Sequence, residues 1–164
     1  MDVTLAPATR ADIPQLLGWL ERYYRELSQY TPWLYDEAAP FSYPSIDSYW
    51  SDPLRHAFLL WHEGEPAGFS LIHNYSHING STEVNDIEEF SIFPAHRRSG
   101  IGRAFAHRLF GRFSGSWEVR VREANRPGML FWHPVVAEFA SGGYRRVPRV
   151  EDGSTWCVYE FAAS

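Results

Sequence analysis

From Ile13 the apolar residues recur at three- and four-residue spacing, through Leu16, Leu17, Leu20, Tyr23 and Tyr24 to Leu27. That period marks an amphipathic helix of about four turns. Residues 2–6 before it read as a short strand, and Thr9-Arg-Ala-Asp12 as a turn and cap. Periodicity fails over residues 28–44, which are rich in Pro, Tyr and Trp. Ser45 is placed to cap a short helix reaching Trp50, closed by Pro53. The period then shortens. Residues 56–62 and 67–75 read as strands joined by the hairpin turn Glu63-Gly-Glu-Pro66, and Asn79-Gly80 marks another turn. Residues 83–93 form a long strand with Ile87, Phe90 and Ile92 apolar, ended by Pro94.

Helical spacing returns over 100–113, where Ile101, Phe105, Leu109 and Phe113 share a face. Residues 117–122 read as a strand. Residues 125–140 read as a helix, with Pro127 tolerated in its first turn and Gly142-Gly143 stopping it. Residues 144–150 and 155–161 close the chain as a hairpin around Glu151-Asp-Gly153. The order β-α-α-β-β-β-α-β-α-β-β predicts an α+β fold with a mixed central sheet in a single domain spanning 1–164.

Composition narrows the function. At 164 residues, with 45% hydrophobic and 16% aromatic residues, disorder and low-complexity filaments are excluded. No apolar run reaches the roughly 18 residues that span a bilayer. The first residues lack a basic stretch followed by an apolar core, so no signal peptide is expected. The single cysteine, Cys157, leaves no internal disulfide and no cysteine-built zinc site, and a cytoplasmic location follows as the default expectation. All 15 basic residues are Arg, which excludes Schiff-base and P-loop lysines. A net charge of -5 argues against a nucleic-acid partner. Residues 1–96 hold 4 Arg against 14 Asp and Glu, and residues 97–164 hold 11 Arg against 6. One half suits a cation and the other an anion.

The most informative stretch runs from Phe90, Ser91 and Ile92 through Arg97-Arg98-Ser99-Gly100-Ile101-Gly102-Arg103. A strand enters a basic, glycine-containing turn that opens a helix. Helix starts leave backbone N–H groups unpaired and partially positive, glycines let a phosphate approach them, and the arginines add charged donors. A phosphate or pyrophosphate site is expected.

Arg97-x-x-Gly100-x-Gly102 after a strand resembles the signature of the GNAT superfamily of N-acetyltransferases. Asn125-x-x-Gly128-x-x-Phe131-Trp132 is similar to that family's Asn-x-x-Ala-x-x-Phe-Tyr helix start, and Gly143-Tyr144 stands where Gly-Phe is usual. The element order agrees over essentially the whole chain. The resemblance implies a mostly antiparallel sheet of about seven strands flanked by about four helices, with the two central strands splayed. It implies acetyl-CoA or another acyl-CoA as co-substrate, without a metal. The backbone of Phe90 to Ile92 would pair with the pantetheine, the N–H groups of Arg98 to Arg103 would hold the pyrophosphate, and Asn125 would reach the pantetheine. The expected reaction is transfer of an acetyl group to the primary amine of a small cationic or amphipathic molecule by a monomer or homodimer. A protein lysine or N-terminal acetyltransferase, and a non-catalytic acyl-CoA-binding module, are the alternatives.

Amine acetylation needs a group to take the amine proton. Asp86, Glu88 and Glu89 are the candidates for base or substrate anchor. Strict alternation puts Asp86 and Glu88 on the face of Phe90 and Ile92, with Glu89 opposite; a bulge would exchange those faces. The family's usual acid, a Tyr, is replaced by Trp132, whose indole donates hydrogen bonds but no proton at neutral pH; Tyr144 is a possible substitute. Tyr24, Trp33 and Trp132 are expected to line the acceptor site, aromatics suiting a cationic amine. His73 and His77, four apart on an extended strand, would be ~13 Å apart, so no metal site is expected.

Overall fold

The computed structural model describes residues 2–164. Strands β1 (Val3–Pro7), β2 (Arg55–His62), β3 (Glu65–His73), β4 (Val84–Ile92), β5 (Gly115–Arg122), β6 (Tyr144–Glu151) and β7 (Ser154–Ala163) form one sheet in the order β1-β2-β3-β4-β5-β7-β6. Neighbours are antiparallel except β4 and β5, which run parallel. The crossover between them is helix α3 (Ile101–Arg112), as parallel neighbours require. The remaining helices are α1 (Ile13–Leu27), the short α2 (Ser48–Ser51) and α4 (Arg126–Phe139).

The predicted order of elements is the observed one, with displaced ends. The predicted short helix at 45–50 begins three residues later, and β3 stops at His73 rather than at residue 75. The β2–β3 hairpin turns on Glu63 and Gly64, with φ of 51° and 80°, the left-handed pair that matches strand twist.

Each face of the sheet is covered by a different layer. Leu16, Trp19 and Leu20 of α1 pack on Ala57, Leu59, Phe69 and Leu71. On the other face Ala106, Leu109 and Phe110 of α3, with Trp132, Val135 and Val136 of α4, pack on Ile87, Trp117, Val119 and Val121. Fully buried side chains such as Phe69, Phe110 and Trp117 each contribute about 1.5–3 kcal/mol of burial.

Two irregularities shape the centre. β4 and β5 pair from Val84 with Ser116 to Ile87 with Val119 and no further, so residues 88–92 have β3 on one edge and, among the described residues, no strand on the other. The β3–β4 register also slips: Leu71 faces Glu89 and Ile72 faces Ile87. Glu88 is the extra residue of a bulge.

Candidate active site

The slip at Glu88 determines which way the acidic strand points. Ile87 and Phe90 pack with the α3/α4 core and Ile92 with Ile101 and Phe105. Glu89 turns to the α1 side, where the Tyr24 hydroxyl donates to its Oε2 and the Tyr43 hydroxyl does so at 2.9 Å. Asp86 lies on that side too, bound by Arg120 Nε at 3.0 Å. All three candidate carboxylates therefore stand opposite Phe90 and Ile92. Alternation without the bulge would have put Asp86 and Glu88 on the wrong face.

Glu88, Glu89, Arg120, Val121, Arg122, Asn125, Trp132 and Trp156 line a cavity of about 140 Å³ between the splayed strands, closed by Tyr23, Tyr24, Leu27, Thr31 and Leu34 from α1 and the loop after it. Glu89 is buried. Burial first, and the neighbouring Glu88 second, push its carboxyl up to about 8 against the pull of the Tyr24 and Tyr43 hydroxyls. Burial also pushes Glu88 up, but hydrogen bonds from His73 and His77 and the charge of Arg120 outweigh it and hold that carboxyl well below the usual range. Two adjacent carboxylates thus differ in protonation, the condition under which one serves as a base near neutral pH and its neighbour as a fixed charge. The Tyr24 hydroxyl is held far above its ordinary range, by burial first and Glu89 second.

His73 and His77 are close, not ~13 Å apart as the fully extended spacing suggests. Their Nε2 atoms lie 2.8 and 2.5 Å from Glu88 Oε2, and their ring centroids are 4.6 Å apart. The strand ends at His73, and the turn that follows folds His77 back. Ligand atoms of His73, His77, Asp86 and Glu88 lie within 4.8 Å of one another, yet the cation among them is Arg120, bonded to Asp86 and at 3.1 Å to Glu88 Oε2.

The basic turn differs in detail from the expectation. Gly100 caps α3 with φ 83°, and Arg98 also takes a positive φ, 63°. Among the described residues, no backbone or side-chain oxygen of the chain receives the backbone N–H groups of Arg98, Ser99, Gly100, Ile101, Gly102 or Arg103. Six consecutive donors are left for a ligand. Two of the three guanidiniums are engaged elsewhere: Arg97 donates to Ile92 O at 2.7 Å and forks onto Glu26 at 2.8 and 3.0 Å, and Arg103 pairs with Glu138 at 3.0 Å, while Arg98 makes no side-chain bond among the described residues. Gly102 has a packing role as well, since a Cβ there would come within 2.9 Å of the Phe131 ring.

Asn125 caps α4, its Oδ1 accepting from Gly128 N–H at 3.1 Å, and it borders the cavity. Trp132 borders the cavity as well, its ring 4.9 Å from Phe90 and 4.8 Å from Phe131. Trp33 is 60% exposed and does not line the cavity; it reaches the site only through Arg122, whose guanidinium is 5.1 Å from its ring centroid. Tyr144 packs instead against His133 and Tyr159 and lies outside this cavity. Arg120, Arg122, Trp156 and Tyr43 complete the arrangement. Spacing along the chain carries no local signal for the first three, because only the β5–β7 register brings Arg122 opposite Trp156.

The sequence profile described as the acetyltransferase (GNAT) family matches residues 15–132. No curated protein sequence gives a match. Among solved structures, an acetyltransferase from Thermus thermophilus superposes with a TM-score of 0.68 at 22% identity, covering 99% of this chain and 98% of that one. Spermidine N-acetyltransferase from Vibrio cholerae, in complex with CoA and spermine, gives 0.66 at 13% identity over 98% and 95%. The ribosomal-protein-S18-alanine N-acetyltransferase from Escherichia coli gives 0.63 at 17% over 99% and 95%.

Proposed function

The chain belongs to the acetyltransferase (GNAT) family and is an acyl-CoA-dependent N-acetyltransferase; we propose that its acceptor is the primary amine of a small cationic or amphipathic molecule, acetylated by direct attack in a ternary complex. The observation that carries this reading is the buried Glu89, facing the cavity where β4 and β5 part. The spermidine enzyme of Vibrio cholerae, solved with CoA and spermine, supports a small amine as acceptor.

The chain's residues fit acetyl-CoA, which supplies the activated acetyl thioester. The free edge of Phe90, Ser91 and Ile92 offers backbone groups to an extended pantetheine. The six unpaired N–H groups from Arg98 to Arg103 form an anion cradle at the start of α3. Asn125 borders the cavity at the start of α4.

A protonated amine entering the cavity meets Glu89 and Glu88. Glu89, with its carboxyl held near 8, accepts the ammonium proton at a pH where a free carboxylate would be a weaker base. Glu88, held ionised by His73, His77 and Arg120, keeps a permanent negative charge beside it. The nitrogen lone pair then attacks the acetyl carbon, the N–C bond forms, the C–S bond breaks, and the nitrogen sheds its second proton to solvent to leave the neutral amide. The thiolate leaves without a proton from Trp132, which CoA tolerates because thiols near pKa ~8.5 are fair leaving groups.

A screen of small amines with acetyl-CoA, reading thiol release, tests this. Release is expected with at least one amine, and Glu89→Gln should lose turnover while CoA affinity, measured by calorimetry, is kept. Thiol release from no amine, or full activity in Glu89→Gln, overturns the reading.

A further inference from the structure

Along β5 the residues alternate strictly. Trp117, Val119 and Val121 enter the core beneath α3 and α4, while Glu118, Arg120 and Arg122 turn to the α1 side. Glu118 takes a hydrogen bond from Ser76 at 2.6 Å, and Arg120 holds Asp86 and Glu88. Arg122 differs from both. It is half-buried on the cavity wall, yet among the described residues no carboxylate lies within ion-pair reach of it and no oxygen accepts from it. Its Nε is buried without any partner. Two indoles hold it in place, with its guanidinium 4.1 Å from the Trp156 ring centroid and 5.1 Å from that of Trp33.

An unpaired buried N–H costs about as much as a lost hydrogen bond, and a half-buried guanidinium without a counter-charge adds to that. Burial pulls the Arg122 guanidinium down from its ordinary range. A planar guanidinium stacked between aromatic rings keeps its edge free, the geometry that receives a carboxylate or phosphoryl group through paired N–H bonds. The pyrophosphate cradle at the start of α3 lies against the opposite face of the sheet, with Ile101 and Phe105 packed on Ile92. The oxyanion that Arg122 awaits therefore belongs to what enters from the α1 side.

We propose that Arg122 binds an oxyanion carried by the acceptor, so that the amine acetylated here bears a carboxylate or phosphoryl group beside its ammonium. The inference rests on reading the cavity as the acceptor site. It gives that site two poles: Glu89 and Glu88 for the ammonium, and Arg122 between Trp33 and Trp156 for the anion. An amino-acid-like zwitterion fits both poles, whereas a polyamine leaves Arg122 unpaired and brings a second cation towards it.

The test compares L-leucine with L-leucinamide, O-phosphoethanolamine and spermidine, using acetyl-CoA and thiol release. The oxyanion-bearing amines should show a KM about 10- to 100-fold below that of leucinamide, and Arg122→Gln should remove that difference by raising KM with kcat nearly unchanged. Arg122→Lys, which keeps the charge but loses the fork, should recover part of it. Leucine favoured over O-phosphoethanolamine assigns a carboxylate, and the reverse order a phosphoryl group. Preference for leucinamide or spermidine, or equal losses on all amines in Arg122→Gln, overturns the inference and leaves the amine acetyltransferase reading intact. If no amine releases thiol, that parent reading fails, and calorimetry decides this one separately. Leucine or O-phosphoethanolamine binding to the CoA-loaded wild type but not to Arg122→Gln upholds the anion site; binding of neither, or equal binding to both proteins, sinks it.

Discussion

Replacing Glu89 with Gln should stabilise the protein and disable it. The carboxyl rises from an ordinary 4.5 to about 8, because burial and the Glu88 charge oppose its ionisation. At about 1.4 kcal/mol for each pH unit, ionising this group in the fold rather than in the unfolded chain costs on the order of 3–5 kcal/mol at neutral pH and above. The sign follows from proton linkage. The fold holds the proton more tightly than the unfolded chain, so this contribution is full below about pH 4.5 and is lost as pH rises through about 8. Glutamine is nearly isosteric, and its carbonyl oxygen can accept the hydroxyls of Tyr24 and Tyr43 that Glu89 Oε2 accepts now. Wild type and variant should therefore unfold alike at pH 4. At pH 8 the variant should melt higher by on the order of 10 °C, given about 2–4 °C per kcal/mol for a chain of this size. Urea titrations at pH 4, 6 and 8, read by tryptophan fluorescence, give the two stability curves. Turnover should fall by about 10²–10⁴-fold. In wild type kcat/KM should climb with pH and level off above about 8, the limb that Gln removes. Parallel stability curves, or a variant equally destabilised at every pH, would refute the argument.

The same geometry sets three further expectations. Arg120→Met leaves Asp86 and Glu88 without their guanidinium and should cost about 3–5 kcal/mol of stability, read by urea denaturation. Gly102→Val should lose about 1–3 kcal/mol because its side chain meets the Phe131 ring, whereas Gly111→Ala, with open space around it, should leave the melting temperature equal or higher. Trp132→Tyr should preserve the fold and leave thiol release equal or faster; loss of turnover without unfolding would give the indole a specific role.

Element types and their order are legible because the periods are strong: the three- and four-residue spacing of α1 and the alternation of β5 admit little else. The face of the acidic strand is not. Whether Asp86 and Glu88 join Glu89 on the α1 side depends on one inserted residue, and a bulge leaves no mark in a run such as Asp86-Ile-Glu88-Glu89. The histidine cluster escapes sequence reasoning for a related reason. An extended chain would keep the two rings apart, but β3 ends at His73, two residues before the predicted end, so the chain turns and returns His77 to Glu88.

Charge counts are informative about the halves of the chain and misleading about individual arginines. The excess of Arg after residue 96 suggests side chains aimed at an anionic co-substrate. In the fold Arg97, Arg103 and Arg120 are paired with Glu26, Glu138 and the acidic strand, and the anion cradle at α3 rests on backbone N–H groups. A guanidinium with a carboxylate at hydrogen-bond distance has little left for a ligand, because a second anion must displace the first or share its donors. Arg122 is the same residue type two positions from Arg120, on the same face of the same strand, and it is unpaired among the described residues. The distinction is invisible in composition and decisive for chemistry: Arg120 joins His73 and His77 in holding Glu88 ionised, and Arg122 keeps its donors for the oxyanion proposed above.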